Sequence, residues 1–211
     1  VNGPHLLLYV VLVVYVYASG AALLAWLLRK EPDAEMVSDA ALGLGLPVGL
    51  VAAALPGWLL SAAAHVPIGR VAAPLGGLAL AALLVAFHKQ LLPVLKGGRR
   101  VILPLAILLF AFFFFVWLRY TMGDIRQTEK PMDFAILNAL LTSPTLPIGD
   151  PWMVGARFSY YHFGTWVVSL PMRVAGLAPE VAYNIFASLL AGMAAAAGFA
   201  AIRLRRGARL L

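Results

Sequence analysis

Cysteine is absent from the 211 residues. Disulfides, thiol catalysis and thiolate metal sites are therefore excluded, and cysteine usage says nothing of redox compartment. Charge is scarce: Asp, Glu, Lys and Arg make up 12% of the chain, against roughly 25% in a soluble domain. Acids are the scarcest, with 9 Asp and Glu in all. Phosphate-binding glycine loops, a dinucleotide glycine pattern, HExxH and a nucleophile elbow are all missing, as is any internal repeat. None of the long apolar runs carries a charge well inside it, which argues against a proton relay or ion pathway. No signal peptide with a small-residue cleavage site is visible.

What is present is apolar. Hydrophobic residues make up 63% of the chain, and the mean hydropathy is +0.91. Apolar runs long enough to cross a ~30 Å hydrocarbon core recur along the sequence. They are apolar around the whole helix, unlike the one-sided helices of a soluble bundle. The fold class expected is all-α: a polytopic membrane helix bundle of about five transmembrane helices with two external juxtamembrane helices. The net charge of +7 lies at the ends of the apolar runs. It reads as topology and headgroup contact, with the lipid bilayer as partner and no nucleic acid.

Residues 6–28 form the first expected span. A short polar link, RKEPDAEM, follows. The second span, 41–64, holds Gly43, Gly45, Pro47, Gly49, Pro56 and Gly57. It reads as a helix packed closely against its neighbours, or as a broken helix lining a transport site. A turn at 65–70 leads to the third span, 71–87. HKQLLPVLKGGRR then reads as a short interfacial piece before the fourth span, 101–118. The last span is 181–202, opened by Pro179 and Glu180, which suit a helix start.

Residues 161–177 are short for a span and contain Pro171 and Arg173. Lys/Arg asymmetry decides their placement. If they lie at the interface, the connections starting at Arg29 and His88 and the C-terminal tail share one side, with two, four and four Lys/Arg residues. This gives a multi-pass plasma-membrane protein, N-terminus outside and C-terminus cytoplasmic. The expected domains are a four-helix region at 1–118, an external loop with two interfacial helices at 119–178, and a fifth helix with a basic tail at 179–211. Within the loop, 129–143 reads as an amphipathic helix with Thr128 as N-cap and Pro131 in the first turn.

The connection from 119 to 164 is where chemistry is expected. It gathers Asp124, Arg126, Glu129, Lys130, Asp133, Asp150, Arg157 and His162 with Trp152, Tyr160 and Tyr161. Loops this long are usually functional or disordered, and the prolines and helical pattern favour order. Here TEKPMDFAILNALLTSP, DPW, SYYHFG and APEVAYN resemble the multi-spanning "YYY" membrane proteins of bacteria and archaea (the Chlor_Arch_YYY type). The resemblance covers about residues 123–184. The family's third tyrosine is His162 here. Family members usually continue with many more spans, so the expectation is a portion of a longer layout.

That layout is similar to the GT-C glycosyltransferases, which move a sugar from a polyprenyl-phosphate donor. The resemblance implies Asp124, Glu129 and Asp133 as catalytic acids. Asp124 and Glu129 are also the candidate ligands for a divalent metal such as Mg or Mn. The same acids suit a helix N-terminus on electrostatic grounds alone. Arg126 and Arg157 are candidate phosphate binders. Trp152, Tyr160, Tyr161 and His162 are candidates for sugar or lipid contact. The alternative is a non-catalytic membrane subunit that packs in a larger membrane complex.

Overall fold

The computed structural model describes residues 3–122, 124, 130–159 and 162–207; at 69, 99, 100, 206 and 207 it describes the backbone alone. Among the described residues the chain forms α1 (Gly3–Leu27), α2 (Ala34–Ala64), α3 (Ala73–Leu95), α4 (Arg99–Thr121), α5 (Lys130–Thr142), α6 (Phe163–Ala175) and α7 (Pro179–Gly207). Five of these, α1 to α4 and α7, are long and apolar enough to cross a membrane. The protein is an all-α polytopic membrane bundle with two shorter helices added.

α2 is the central helix. It packs against α1, α3, α4, α6 and α7, and 61% of its apolar window is buried, against 6% for α4. Small residues make this possible. A side chain added at Gly20 of α1 would run into the backbone of Gly45 and Gly49, and one at Gly49 would meet the Val16 carbonyl. Gly43 faces Ala196 and Ala200 of α7 in the same way. Backbones this close gain dispersion contacts that lipid cannot match. Despite Pro47 and Pro56, α2 is one continuous helix; the packed reading holds and the broken-helix reading does not.

Two boundaries differ from the sequence reading. α2 begins well before residue 41, because Asp33 caps it, accepting from Glu35 N at 2.8 Å and Met36 N at 3.1 Å. α3 runs on through Pro93 to Leu95, so no separate interfacial piece follows residue 87. Proline costs a helix one backbone bond, and near the end of α3 the last turn still closes through Lys96 N to Leu92 O at 3.1 Å. The entry to α3 is a wide π turn, Ile68–Ala72, after His65 ends α2 in the left-handed region at φ 52°.

α6 is more deeply packed into the protein than its amphipathic profile alone indicates. Eight of its 13 residues are buried, Trp166 and Met172 completely. Its amphipathic pattern is real, but the apolar face meets α1, α2 and α5. α5 keeps the expected character, burying Ile136, Leu137 and Leu140 and exposing its other side.

The bundle has two unlike ends. At the basic end, Arg203 of α7 bonds Asp39 of α2 at 2.8 Å and Glu35 at 3.2 Å. At the cap end lie α5, α6 and the loop between them, with His5 of α1 bonded to Ala175 O at 2.7 Å.

Candidate functional site

The cap is assembled from the α5–α6 loop. Its descending strand is fixed to the end of α2: Leu146 N donates to Ser61 Oγ at 3.1 Å, and His65 Nδ1 lies 2.9 Å from Leu146 O. Ser61 Oγ in turn donates to Val66 O at 2.9 Å, and Ile68 N donates to Pro144 O at 2.8 Å. The Leu146–Pro147 peptide is cis. Leu146, Ile148 and Phe158 are buried beneath the loop.

The loop then turns back on itself. Gly149 and Arg157 form an antiparallel bridge. Asp150 N donates to Ala156 O, and Phe158 N to Ile148 O, each at 3.0 Å. Asp150 Oδ1 accepts from Trp152 N at 2.8 Å and Met153 N at 3.0 Å, an Asx turn that satisfies donors the tip would otherwise leave open. The result is an ordered tip whose three large side chains point outward: Trp152 is 56%, Met153 64% and Val154 106% exposed.

α6 locks this cap to the bundle. Trp166 Nε1 donates to Ala54 O at 3.1 Å. Trp58 is surrounded by the rings of His162, Phe163 and Trp166, with centroids 5.0 to 5.9 Å away. Arg173 Nη1 donates to Leu140 O at 2.8 Å, tying α6 to α5. Burial lowers the Arg173 pKa from its ordinary value, but an arginine starts so high that it remains charged at neutral pH.

The residues expected to carry chemistry fall as follows. Asp124 is exposed, and its main-chain carbonyl, rather than its carboxylate, accepts from Lys130 Nζ at 3.2 Å. Asp133 is exposed in the first turn of α5. Arg157 is exposed, and its backbone forms the loop bridge. Trp152 and His162 both approach Phe158, with centroids 6.4 and 5.5 Å away. Arg126, Thr128, Glu129, Tyr160 and Tyr161 lie outside the described residues. Among the described residues no three His, Asp or Glu gather as a metal-holding group.

Sequence reasoning missed a second cluster at this end. Arg119 of α4 donates through Nε to Asn184 Oδ1 of α7 at 2.9 Å, and its guanidinium carbon sits 5.2 Å from the centre of the Tyr183 ring. Tyr183 meets Phe134 of α5 edge-on at 5.7 Å. The signals were present: a cation directly after the AFFFFVWL run, and a polar Asn184 just ahead of the long apolar stretch of α7.

Fold and cap together define a multi-pass α-helical membrane protein with a structured polar cap at one end. The family model described as "Uncharacterized membrane protein (DUF2298)" matches residues 52–209, and the chain belongs to that family. No curated protein and no solved structure matches it.

Proposed function

We propose that the protein is a non-catalytic membrane subunit that packs in a larger membrane complex, and that the tip at 152–154 is its principal contact with a partner polypeptide. The supporting observation is the tip itself. A tryptophan, a methionine and a valine are displayed together on a loop held rigid by Asp150 and the Gly149–Arg157 bridge. Tryptophan and methionine are enriched at interface cores, and a pre-ordered loop loses little entropy on binding. α4 adds a second face, with Phe110, Phe113, Phe114 and Trp117 exposed along it. The orientation proposed has the cap outside and the basic end, with Arg203 and Arg205, in the cytoplasm, in keeping with Lys/Arg bias.

The test is the native mass of the assembly extracted from its own membranes in mild detergent. Val154→Asp places a charge at the tip without touching the core. It should convert a larger assembly to the free subunit. Unchanged migration of the Val154→Asp protein would refute the contact.

A transferase reading is supported by the resemblance over residues 123–184. In it, Asp124, Glu129 and Asp133 supply the base for the acceptor hydroxyl or hold a divalent metal, and Arg126 and Arg157 face a polyprenyl phosphate. Trp152, Tyr160, Tyr161 and His162 then contact sugar or lipid. Its discriminating assay is sugar transfer from a polyprenyl-phosphate donor by the unmutated protein and by Asp124→Asn and Glu129→Gln variants.

A further inference from the structure

A cavity of ≈360 Å³ opens between α4 and α7 near the cap end, lined by Val116, Arg119, Tyr120, Asn184 and Ile185. Its position follows from how the two helices pack. They come close at Gly192 of α7, where an added side chain would lie 2.9 Å from Leu108 O and 3.3 Å from Phe112 Cβ. Arg119 is eleven positions beyond Leu108, about 16 Å along α4 at ~1.5 Å per residue. It therefore stands near the end of the span, at the level of lipid headgroups.

Val116 and Ile185 make apolar walls, and Arg119, Tyr120 and Asn184 bring the polar groups. Arg119 is fixed from two sides, by its Nε bond to Asn184 and by the Tyr183 ring. Its Nη2 is buried without an acceptor. Among the described residues the salt bridges within 4.0 Å all belong to Arg203, so no described carboxylate neutralises Arg119. Asn184 Nδ2 is already used, donating to Glu180 O at 2.8 Å, and Glu180 takes part through its main chain rather than its carboxylate. A guanidinium offers five donors in a planar fork, and leaving a charge enclosed without a counter-ion is costly. Among the described residues the acid that acts on this cluster is Asp133, which is felt at Tyr183 but forms no salt bridge to Arg119, so the guanidinium keeps room for an anion.

We propose that this groove binds one anionic phospholipid, with its phosphate on the Arg119 guanidinium and an acyl chain along Val116 and Ile185. Guanidinium and phosphate match in charge and bidentate geometry. The apolar walls favour a phosphate that carries a hydrocarbon chain over a free one. The site is independent of the tip contact proposed above and stands or falls separately.

The test is native mass spectrometry of the detergent-purified full chain, titrated in turn with phosphatidylglycerol, phosphatidylcholine and inorganic phosphate. One phosphatidylglycerol should be retained in preference to phosphatidylcholine. Arg119→Gln should weaken it by roughly tenfold or more, the loss expected for charge-assisted hydrogen bonds. Arg119→Lys should recover part of the affinity, keeping the charge but not the fork. Val116→Trp should block the groove with Arg119 intact, and decides the matter if Arg119→Gln does not fold. Phosphatidylglycerol binding equally to the unmutated and Val116→Trp proteins would overturn the site. Equal retention of phosphatidylcholine would overturn the anionic preference, and displacement by inorganic phosphate at matched concentration would make it a free-anion site.

Discussion

Trp166 of α6 and Ala54 of α2 are joined by a hydrogen bond from the indole Nε1 to the main-chain carbonyl at 3.1 Å, in a fully enclosed site. Ala54 lies ten positions before the end of α2, so the cap reaches into the bundle rather than resting on it. The bond also explains how a cap made largely of loop stays ordered: one rigid ring, tilted against Trp58 and part of the same core as Leu140 and Val168, carries α6.

Trp166→Ala should therefore destabilise the protein by about 3–5 kcal/mol, the cost of emptying a large aromatic site. Trp166→Phe keeps most of the ring and loses the hydrogen bond, for about 0.5–1.5 kcal/mol. Thermal unfolding in detergent checks the order, and equal losses would mean that the site collapses around either residue.

Two glycine substitutions should behave oppositely. Gly49→Ala forces α1 and α2 apart, because the added carbon meets the Val16 backbone and not a movable side chain. A loss of about 1–3 kcal/mol follows, as for other overpacked cores. At Gly198 nothing lies within 4 Å of an added carbon, and Gly198→Ala should be neutral or stabilising by up to about 1 kcal/mol. Melting temperatures of the two variants compare them directly.

Five spans were legible in the sequence because runs this long, apolar around the whole helix, have no stable place in water. The central role of α2 was half legible, since its glycines announced close packing without naming the partners. The burial of α6 was not legible. Ser169, Pro171 and Arg173 give it the profile of an interfacial helix, and an amphipathic face looks the same whether it meets headgroups or neighbouring helices. The extension of α2 back to Ala34 was hidden because Asp39, a charge within the span, is satisfied by Arg203 from the far end of the chain. The candidate site was read from the acids of the 119–164 segment, whereas Arg119 and Asn184 meet across 65 positions, a distance that no local pattern spans.

The Arg203–Asp39 pair should act as the clasp of the basic end. Asp39 is 5% exposed, so Arg203→Ala leaves a nearly buried carboxylate without its guanidinium and should cost about 1–3 kcal/mol. The double variant Arg203→Ala, Asp39→Ala should recover part of that loss. A double-mutant cycle on unfolding free energy measures the coupling, and strict additivity would show that the clasp is idle.

Because the native chain has no cysteine, single cysteines report topology without background. Val154→Cys should react with an impermeant maleimide added outside intact cells, and Arg205→Cys should react only after permeabilisation. The reverse pattern would invert the orientation while leaving the bundle unchanged.

The central claim, that the tip meets a partner polypeptide, is tested most directly by a photo-crosslinking residue at position 154 in native membranes. Position 78 serves as control, since Leu78 is 66% exposed on the apolar span α3 and is not part of the tip. The account predicts a discrete protein–protein adduct from position 154 that Trp152→Ala weakens, and no such adduct from position 78. Adducts from position 154 to lipid alone, or the same protein adduct from both positions, would contradict it.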